Sequence, residues 1–291
     1  MSDLSNEDLA PVPVEKRTWN SLNYFSLWVG MAVCIPSYMI AASLISAGMS
    51  LWQAVACVFL GNLIVLVPML LNGKVGAKYG IPYPVYARAS FGILGSNIPA
   101  LLRAIVACGW FGIQSWIGGM AVMAVVATFW PGFLEIPNIF PAWVGTSTAP
   151  FISFLIFWGL NVFIIVKGVN TIKWLETASA PLLLLSGIGL LVWAINKVGS
   201  IEGGFGLGLI KLFDQPSKFE TNAAFWKVFI PSLTGMVGFW ATLSLNIPDF
   251  TRYAKDQKSQ FWGQALGLPT TMTLFALIGV EKGFIFQIPI L

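Results

Sequence analysis

Residues 30–38 read GMAVCIPSY and lie within a stretch, from residue 18 to residue 73, that contains no charged side chain. A helix that crosses a bilayer needs about 20 predominantly apolar residues, so this stretch is long enough for two membrane spans. Pro36 falls inside the first of them, where it offers no amide hydrogen to the carbonyl four residues earlier. Gly30 and Pro36 therefore predict a first span that is kinked or interrupted near the middle of the bilayer.

The rest of the chain continues this apolar pattern. Charged residues make up 10% of the 291 residues, against about 25% in a typical soluble domain. The charge-free runs predict seven spanning helices, near residues 22–46, 50–72, 98–128, 148–168, 177–197, 226–248 and 264–289. The sequence thus predicts an all-α integral membrane protein.

The charges also predict an orientation. Residues 1–20 form a polar tail without the layout of a signal peptide, and residues 21–291 form the transmembrane domain. With this tail in the cytoplasm, ten Lys and Arg residues fall on the cytoplasmic side and four on the other. That split follows the positive-inside rule, so we expect a multi-pass protein of the plasma or inner membrane with a cytoplasmic N-terminus. The loop 198–225, which includes the glycine-rich GGFGLG, is expected to be a flexible external connection.

Several classes of function are disfavoured by the composition. The chain has no histidine, which removes the usual base of hydrolytic triads and the ligands of HExxH zinc sites. Its three cysteines show no CxxC spacing and are expected to be buried free thiols. The net charge of +4 is scattered through the loops rather than clustered, so no nucleic-acid partner is expected. We therefore expect neither an enzyme nor a bound cofactor.

A second interruption is predicted in the sixth span. There Thr234, Gly235 and Gly238 precede Phe239 and Trp240, and the span is expected to stop at Pro248. Paired interrupted spans in corresponding halves are typical of the central site of a transporter. Irregular backbone at this depth is tolerated where it faces protein or a wet cavity, and its free carbonyls can ligate a cation.

The third span carries side chains suited to such a site, in the stretch CGWFGIQSWIGG at residues 108–119. Trp110 and Gln114 are four residues apart and share a helix face. An aromatic surface beside an amide can hold a planar, neutral heterocycle with urea-like N–H and C=O groups. The alternative is structural, with Trp110 packing against a neighbouring helix and Gln114 hydrogen-bonding across it.

The first six predicted spans contain no carboxylate. A charged amine substrate or a simple proton relay would normally need one, so a neutral ligand is favoured. Cation coupling would then depend on backbone carbonyls, on hydroxyls such as those of Ser37, Thr234 and Thr242, or on groups outside this sequence.

Three stretches together resemble one transporter family: GIPYPVYARASFGILGSNIPALLRA at 80–104, CGWFGIQSWIGG at 108–119 and FWATLSLNIPDFTRYAK at 239–255. They are similar to the nucleobase:cation symporters, which include the allantoin, uracil, cytosine and hydantoin permeases. The resemblance runs from about Asn6 to about Val280. It implies a leucine-transporter-like fold of two inverted five-helix repeats, with helices one and six broken around the substrate.

The resemblance also implies roles for individual residues. Trp110 and Trp240 would sandwich the base, Gln114 would hydrogen-bond it, and the unwound backbone at Phe239 would lie beside it. On helix one, Cys34 would face the substrate, and it stands where the hydantoin permease has glutamine. Gly30 and Val33 would ligate sodium through their carbonyls in a sodium-coupled member. Arg88, Asp249 and Arg252 belong to family motifs but are expected to serve packing, anchoring or gating at span ends.

The sequence departs from the family at its end. Members have about twelve helices, whereas this chain would contain the first five-helix repeat plus helices six and seven only. Residues 281–291 read EKGFIFQIPIL, with two charges where the family continues apolar. We therefore expect a C-terminally truncated member that lacks helix eight, which carries other parts of the cation and substrate sites.

Two functions remain open from the sequence. The first is a secondary active transporter that imports a nucleobase or related ureide by cation symport with alternating access. Its partners would be the substrate, the lipid bilayer and a coupling Na⁺ or H⁺, and it is expected to be a monomer. The alternative is a truncated membrane remnant that does not transport.

Overall fold

The computed structural model of the chain describes residues 6–167, 169–214 and 216–279, and all regular structure within them is helical. Ten α-helices are present in this part of the chain. They are α1 (Ser21–Ala32), α2 (Ile35–Ser46), α3 (Leu51–Tyr79), α4 (Tyr83–Gly95), α5 (Asn97–Phe129), α6 (Thr148–Lys167), α7 (Val169–Glu202), α8 (Phe205–Phe213), α9 (Asn222–Thr251) and α10 (Gln257–Ile278). Short 3₁₀ helices occur at Val14–Lys16, Pro131–Glu135 and Ala142–Val144.

The predicted number of spans agrees with these helices. Among the described residues, six helices are long and apolar enough to cross a membrane, and the bent pair α1–α2 brings the number to seven. The bend between α1 and α2 measures 63°. The predicted interruption of the first span is therefore confirmed, and it falls at Val33 and Cys34.

The second predicted interruption is wrong. Helix α9 runs unbroken from Asn222 to Thr251, through Gly235, Gly238 and Pro248. Neither glycine has a positive φ, so both keep the ordinary helical backbone. Glycine weakens a helix by only about 1 kcal/mol relative to alanine, which packing along a neighbouring helix easily offsets.

Two stretches between the predicted spans contain helices. Helix α3 extends to Tyr79 and ends at Gly80, whose φ of 72° is the left-handed conformation that suits glycine, and α4 follows at once. The expected flexible connection at 198–225 contains the end of α7 and all of α8. Its glycines permit close backbone approach, since a Cβ on Gly199 would lie 2.7 Å from the carbonyl oxygen of Gly204.

Helix α10 begins seven residues before the predicted start of its span at residue 264. Asp256 accepts a hydrogen bond from the backbone N–H of Ser259 at 2.7 Å and so caps the helix at its N-terminus. The described part of α10 ends at Ile278. The predicted continuation to residue 289 and the atypical stretch 281–291 lie outside the described residues.

The helices belong to two compact units, Met1–Arg103 with Ala180–Leu291, and Ala104–Ser179. In the first unit, α1 packs on α10 and α9 packs on α3. Glycines allow this close approach: a Cβ on Gly267 would lie 2.9 Å from Trp28 Cβ, and one on Gly76 would lie 2.8 Å from the Pro248 carbonyl oxygen. In the second unit, Gly119 allows the close approach of α5 and α6, because a Cβ on it would lie 2.8 Å from the backbone nitrogen of Phe154.

The N-terminal segment 6–20 is bound to the first unit rather than being a free tail. Val12 donates its N–H to the Gly80 carbonyl at 2.8 Å, and the Arg17 guanidinium donates to the carbonyls of Val12 and Tyr79 at 2.9 and 3.2 Å. Trp19 forms two backbone hydrogen bonds of 2.9 Å, to the carbonyl of Tyr253 and from the N–H of Lys255. We call this segment the N-terminal strap.

Candidate functional site

The break in the first span diverts a backbone hydrogen bond. Pro36 cannot donate to the Ala32 carbonyl, and the N–H of Cys34 donates to it instead, at 3.0 Å. A continuous helix would have directed that N–H to Gly30. The carbonyl of Gly30 has therefore lost the donor that an unbroken helix would give it.

The two residues of the break have a non-helical backbone. Val33 has φ −81° and ψ 79°, and Cys34 is extended with φ −143° and ψ 160°. The Cys34 thiol is half-buried and lies 3.2 Å from the hydroxyl of Ser37, which is fully buried. Gly30 is exposed, and among the described residues no atom outside its chain neighbours and its own helix backbone lies within 4 Å of the position where a Cβ would stand. The break thus combines a turned backbone, a thiol, a hydroxyl and open space.

Aromatic side chains cluster on the inner part of the first unit. The Trp240 indole is 7% exposed and packs edge-on against Trp28, with ring centroids 5.3 Å apart. Phe239 lies against Trp240 at 4.9 Å. Phe239 and Trp240 are consecutive residues of a continuous helix, so the expected unwound backbone at Phe239 is wrong.

The two indoles offer unused hydrogen-bond donors. The Nε1 atoms of Trp28 and Trp240 are buried and find no acceptor within the described part of the chain. A buried donor without an acceptor is costly, so a water or a polar ligand would be favoured beside each of them. Sequence reasoning missed Trp28, because its pairing with Trp240 is a tertiary contact and its spacing carries no signal.

Trp110 and Gln114 lie on α5 in the second unit. Trp110 is half-buried and Gln114 is exposed, and their spacing places them on one face of the helix. Gly109 and Gly112 on the same helix have open space where a Cβ would stand. Their meeting with Trp240 and Cys34 of the first unit remains a prediction from the sequence.

A polar cluster holds the C-terminal end of α9, and the sequence did not reveal its members Arg103 and Asn246. The Asp249 carboxylate accepts from the Arg103 guanidinium at 2.6 Å and from the backbone N–H of Tyr83 at 2.7 Å. Arg103 also donates to the side-chain oxygen of Asn246 at 2.7 Å and stacks over the Tyr83 ring at 4.9 Å. Arg252 donates to the Asp8 carbonyl of the N-terminal strap at 2.7 Å. Asp249 and Arg252 thus anchor neighbouring segments, as expected.

The chain has relatives among known proteins. A model of the family "Permease for cytosine/purines, uracil, thiamine, allantoin" matches residues 11–285. The purine-uracil permease NCS1 of Arabidopsis thaliana is 45% identical over 280 residues, which are 95% of this chain and 44% of that permease. The allantoin permease of Bacillus subtilis is 43% identical over 278 residues, 95% of this chain and 55% of that protein. The chain therefore spans about half the length of the relatives it matches.

Two solved structures share the fold. Mhp1, a nucleobase-cation-symport-1 family transporter, in a closed conformation with bromovinylhydantoin bound, has a TM-score of 0.68 at 22% identity, over 97% of this chain and 57% of that one. The inward-facing conformation of Mhp1 has a TM-score of 0.73 at 21% identity, over 96% and 56%. These matches confirm the all-α, leucine-transporter-like fold class.

The relatives are named permeases, which agrees with the expectation of a membrane protein that is not an enzyme. The family model covers nearly the whole chain, and it includes both the broken first span and the third-span stretch with Trp110 and Gln114. The resemblance seen in the sequence is thereby confirmed: the chain belongs to the family of permeases for cytosine and purines, uracil, thiamine and allantoin.

Proposed function

We propose that the chain provides the substrate-binding helices of a secondary transporter that imports a nucleobase or related ureide together with a cation. The observation that carries this proposal is the break at Val33 and Cys34, which leaves the Gly30 carbonyl without its helical donor in the middle of a span. A backbone interrupted at this depth is the usual means by which transporters of this fold bind an ion and a substrate.

The coupling cation would be Na⁺ or H⁺. For Na⁺, we propose that the carbonyl oxygens of Gly30 and Val33 are ligands, because small hard cations prefer oxygen donors. The open space beside Gly30 would admit the ion. For H⁺, the backbone would instead support the fold of the site without binding the coupling ion.

The substrate would be a flat, neutral heterocycle held by aromatic rings and hydrogen bonds. We propose that Trp110 and Trp240 stack on its two faces, that Gln114 pairs with its amide-like edge, and that Phe239 and Cys34 border it. Transport would proceed by alternating access, with one group of helices rocking against the other around the site.

The proposed setting is the plasma or inner membrane, with the N-terminal strap in the cytoplasm and a monomer as the working unit. The ten-to-four distribution of basic residues supports this orientation. Attachment of a membrane-impermeant label to a cysteine introduced at Glu7, in intact cells, would contradict it.

The test is uptake of radiolabelled uracil, allantoin and cytosine by cells that express the chain. Trp110→Ala and Gln114→Ala should each abolish most of the uptake, because each removes a group that is proposed to touch the base. Trp143→Ala is the matched control, since this tryptophan is 85% exposed in a 3₁₀ helix of the same unit. Uptake that depends on an imposed Na⁺ or H⁺ gradient identifies the cation.

Two outcomes would overturn the proposal. Normal uptake by both substituted chains would contradict the site assignment. Background uptake by the unmodified chain, at a level of membrane insertion equal to that of an active relative, would contradict the proposed transport.

A further inference from the structure

A groove on the surface of the first unit lies between the last turns of α3 and the first turns of α10. Its volume is about 390 Å³. Two lysines, Lys74 and Lys258, line it together with the exposed apolar side chains of Leu71, Phe261 and Trp262. The groove thus joins a cationic part to an apolar part.

The charged side chains that line the groove are all positive. Both lysines are exposed, and no carboxylate belongs to the groove lining. Asp256, the acid nearest to Lys258 in the chain, caps α10 through the Ser259 N–H at 2.7 Å and does not line the groove. An anion in the groove would therefore meet two positive charges.

A hydrogen bond holds the two lysine-bearing helices together at this point. The side-chain amide of Gln257 on α10 donates to the backbone carbonyl of Lys74 on α3, at 2.8 Å. This bond fixes the end of α3 beside the start of α10. The two ammonium groups therefore lie on two helices that are hydrogen-bonded to each other, rather than on separate mobile loops.

The apolar part of the groove continues along the surface of the unit. Leu71 is 64% exposed and Trp262 is 54% exposed, and the rings of Phe261 and Trp262 meet edge-on at 5.2 Å. Tryptophan next to basic residues at a helix end is typical of the boundary between headgroups and hydrocarbon. A free inorganic anion would leave this apolar wall uncovered, whereas a lipid would cover it.

We infer that this groove binds an anionic phospholipid, with the headgroup phosphate between Lys74 and Lys258 and the acyl chains along Leu71 and Trp262. Basic pockets between spans are recognised in this way by anionic lipid headgroups. The inference depends on the membrane character of the chain and not on the proposed transport function.

The test is a lipid titration of the purified full chain in detergent, followed by native mass spectrometry and by thermal unfolding. Phosphatidylglycerol should bind and raise the unfolding temperature, and phosphatidylcholine should do so much less. In the double variant Lys74→Gln with Lys258→Gln, the affinity for phosphatidylglycerol should fall roughly ten- to thirtyfold, because each lysine near the headgroup contributes attraction. Lys227→Gln, an exposed lysine at the start of α9, is the matched control and should bind normally.

Three results would overturn the inference. Equal binding of phosphatidylglycerol and phosphatidylcholine would show that charge is not recognised. Equal stabilisation by inorganic phosphate would identify a soluble anion rather than a lipid as the ligand. Unchanged affinity in the double variant, with an unfolding temperature close to that of the Lys227→Gln chain, would show that the two lysines do not bind the headgroup.

Discussion

The broken span α1–α2 and the continuous helix α9 each pack closely on a neighbouring helix. They differ because only α9 keeps an unbroken helical backbone. Helix α1 lies on α10 over Gly267, and α9 lies on α3 over Gly76. Both spans also contain proline, Pro36 in α2 and Pro231 and Pro248 in α9. Only the first is broken, so proline and close packing alone do not decide whether a span is interrupted.

Pro36 and Pro248 differ in what replaces their missing N–H. The carbonyl four residues before Pro248 is that of Ser244, and it accepts a hydrogen bond from the side-chain amide of Asn72 on α3, at 2.9 Å. The carbonyl four residues before Pro36 is that of Ala32, and it accepts the N–H of Cys34 from within its own span. A neighbouring helix satisfies the first carbonyl and leaves α9 intact, whereas the chain bends to satisfy the second.

The largest expected effect concerns the packing under α9. Gly76→Leu should destabilise the first unit by about 3 kcal/mol, because a side chain there meets backbone of α9 that cannot rotate away. Thermal unfolding in detergent measures the loss. Gly235→Leu is the control, since Gly235 on α9 has open space around it and should tolerate the change. Equal losses in both variants would mean that the close approach of α3 and α9 is unimportant.

The next effect tests why α9 does not break. Asn72→Leu should cost about 2 kcal/mol, because the Ser244 carbonyl would lose its donor in a buried position. Adding Pro248→Ala should recover most of this loss, since alanine restores the backbone N–H. Asn161→Leu is the control, because Asn161 donates to a carbonyl of its own helix that has a backbone donor in any case. Absence of recovery in the double variant would contradict the explanation.

A smaller effect concerns α10, which supports the broken span. The hydrogen bond from the Ser259 N–H lowers the pKa of the Asp256 carboxyl, so the cap contributes stability at neutral pH and loses it as the pH falls through that lowered pKa. Asp256→Ala should cost about 1 kcal/mol at pH 7. The difference from the unmodified chain should shrink on acidification, as followed by unfolding at several pH values. Glu220→Ala is the control. A stability difference between the Asp256→Ala chain and the unmodified chain that does not change with pH would contradict the role of Asp256 as a cap.

The smallest effect on stability is expected at the break itself. Pro36→Ala would allow the span to close into one helix and return a donor to the Gly30 carbonyl, with a change in unfolding free energy of about 1 kcal/mol or less. Cation-dependent uptake should nevertheless fall strongly. Pro231→Ala, in the unbroken α9, is the control. Full cation-dependent uptake by the Pro36→Ala chain would show that cation coupling does not depend on the break.

The sequence predicted those features that depend on composition and on neighbours along the chain. Apolar runs predicted the spans, and Pro36 predicted the break in the first one. The continuity of α9 could not be predicted in this way, because it depends on Asn72, which is distant in sequence from the Ser244 carbonyl that it satisfies. Trp28 was missed for a similar reason, since only tertiary packing places it against Trp240.

Amphipathic and polar segments were the other source of error. Helix α8 lies in a glycine-rich stretch whose composition is typical of a loop. Those glycines led to the prediction of a loop, although the other side chains of α8 are mostly apolar. The polar segment 6–20 was predicted to be a tail, yet Arg17 and Trp19 bind it to the ends of α3 and α9. The roles of Trp110, Gln114, Trp240, Phe239 and Cys34 as ligand contacts remain predictions.

The N-terminal strap has a consequence for biogenesis. Trp19 leaves the ribosome well before its two backbone partners, Tyr253 and Lys255, which emerge only after α9 has been synthesised. The strap can therefore dock in two stages. Val12 and Arg17 can bind the end of α3 once α3 has been synthesised, whereas Trp19 can bind its partners only after the synthesis of α9.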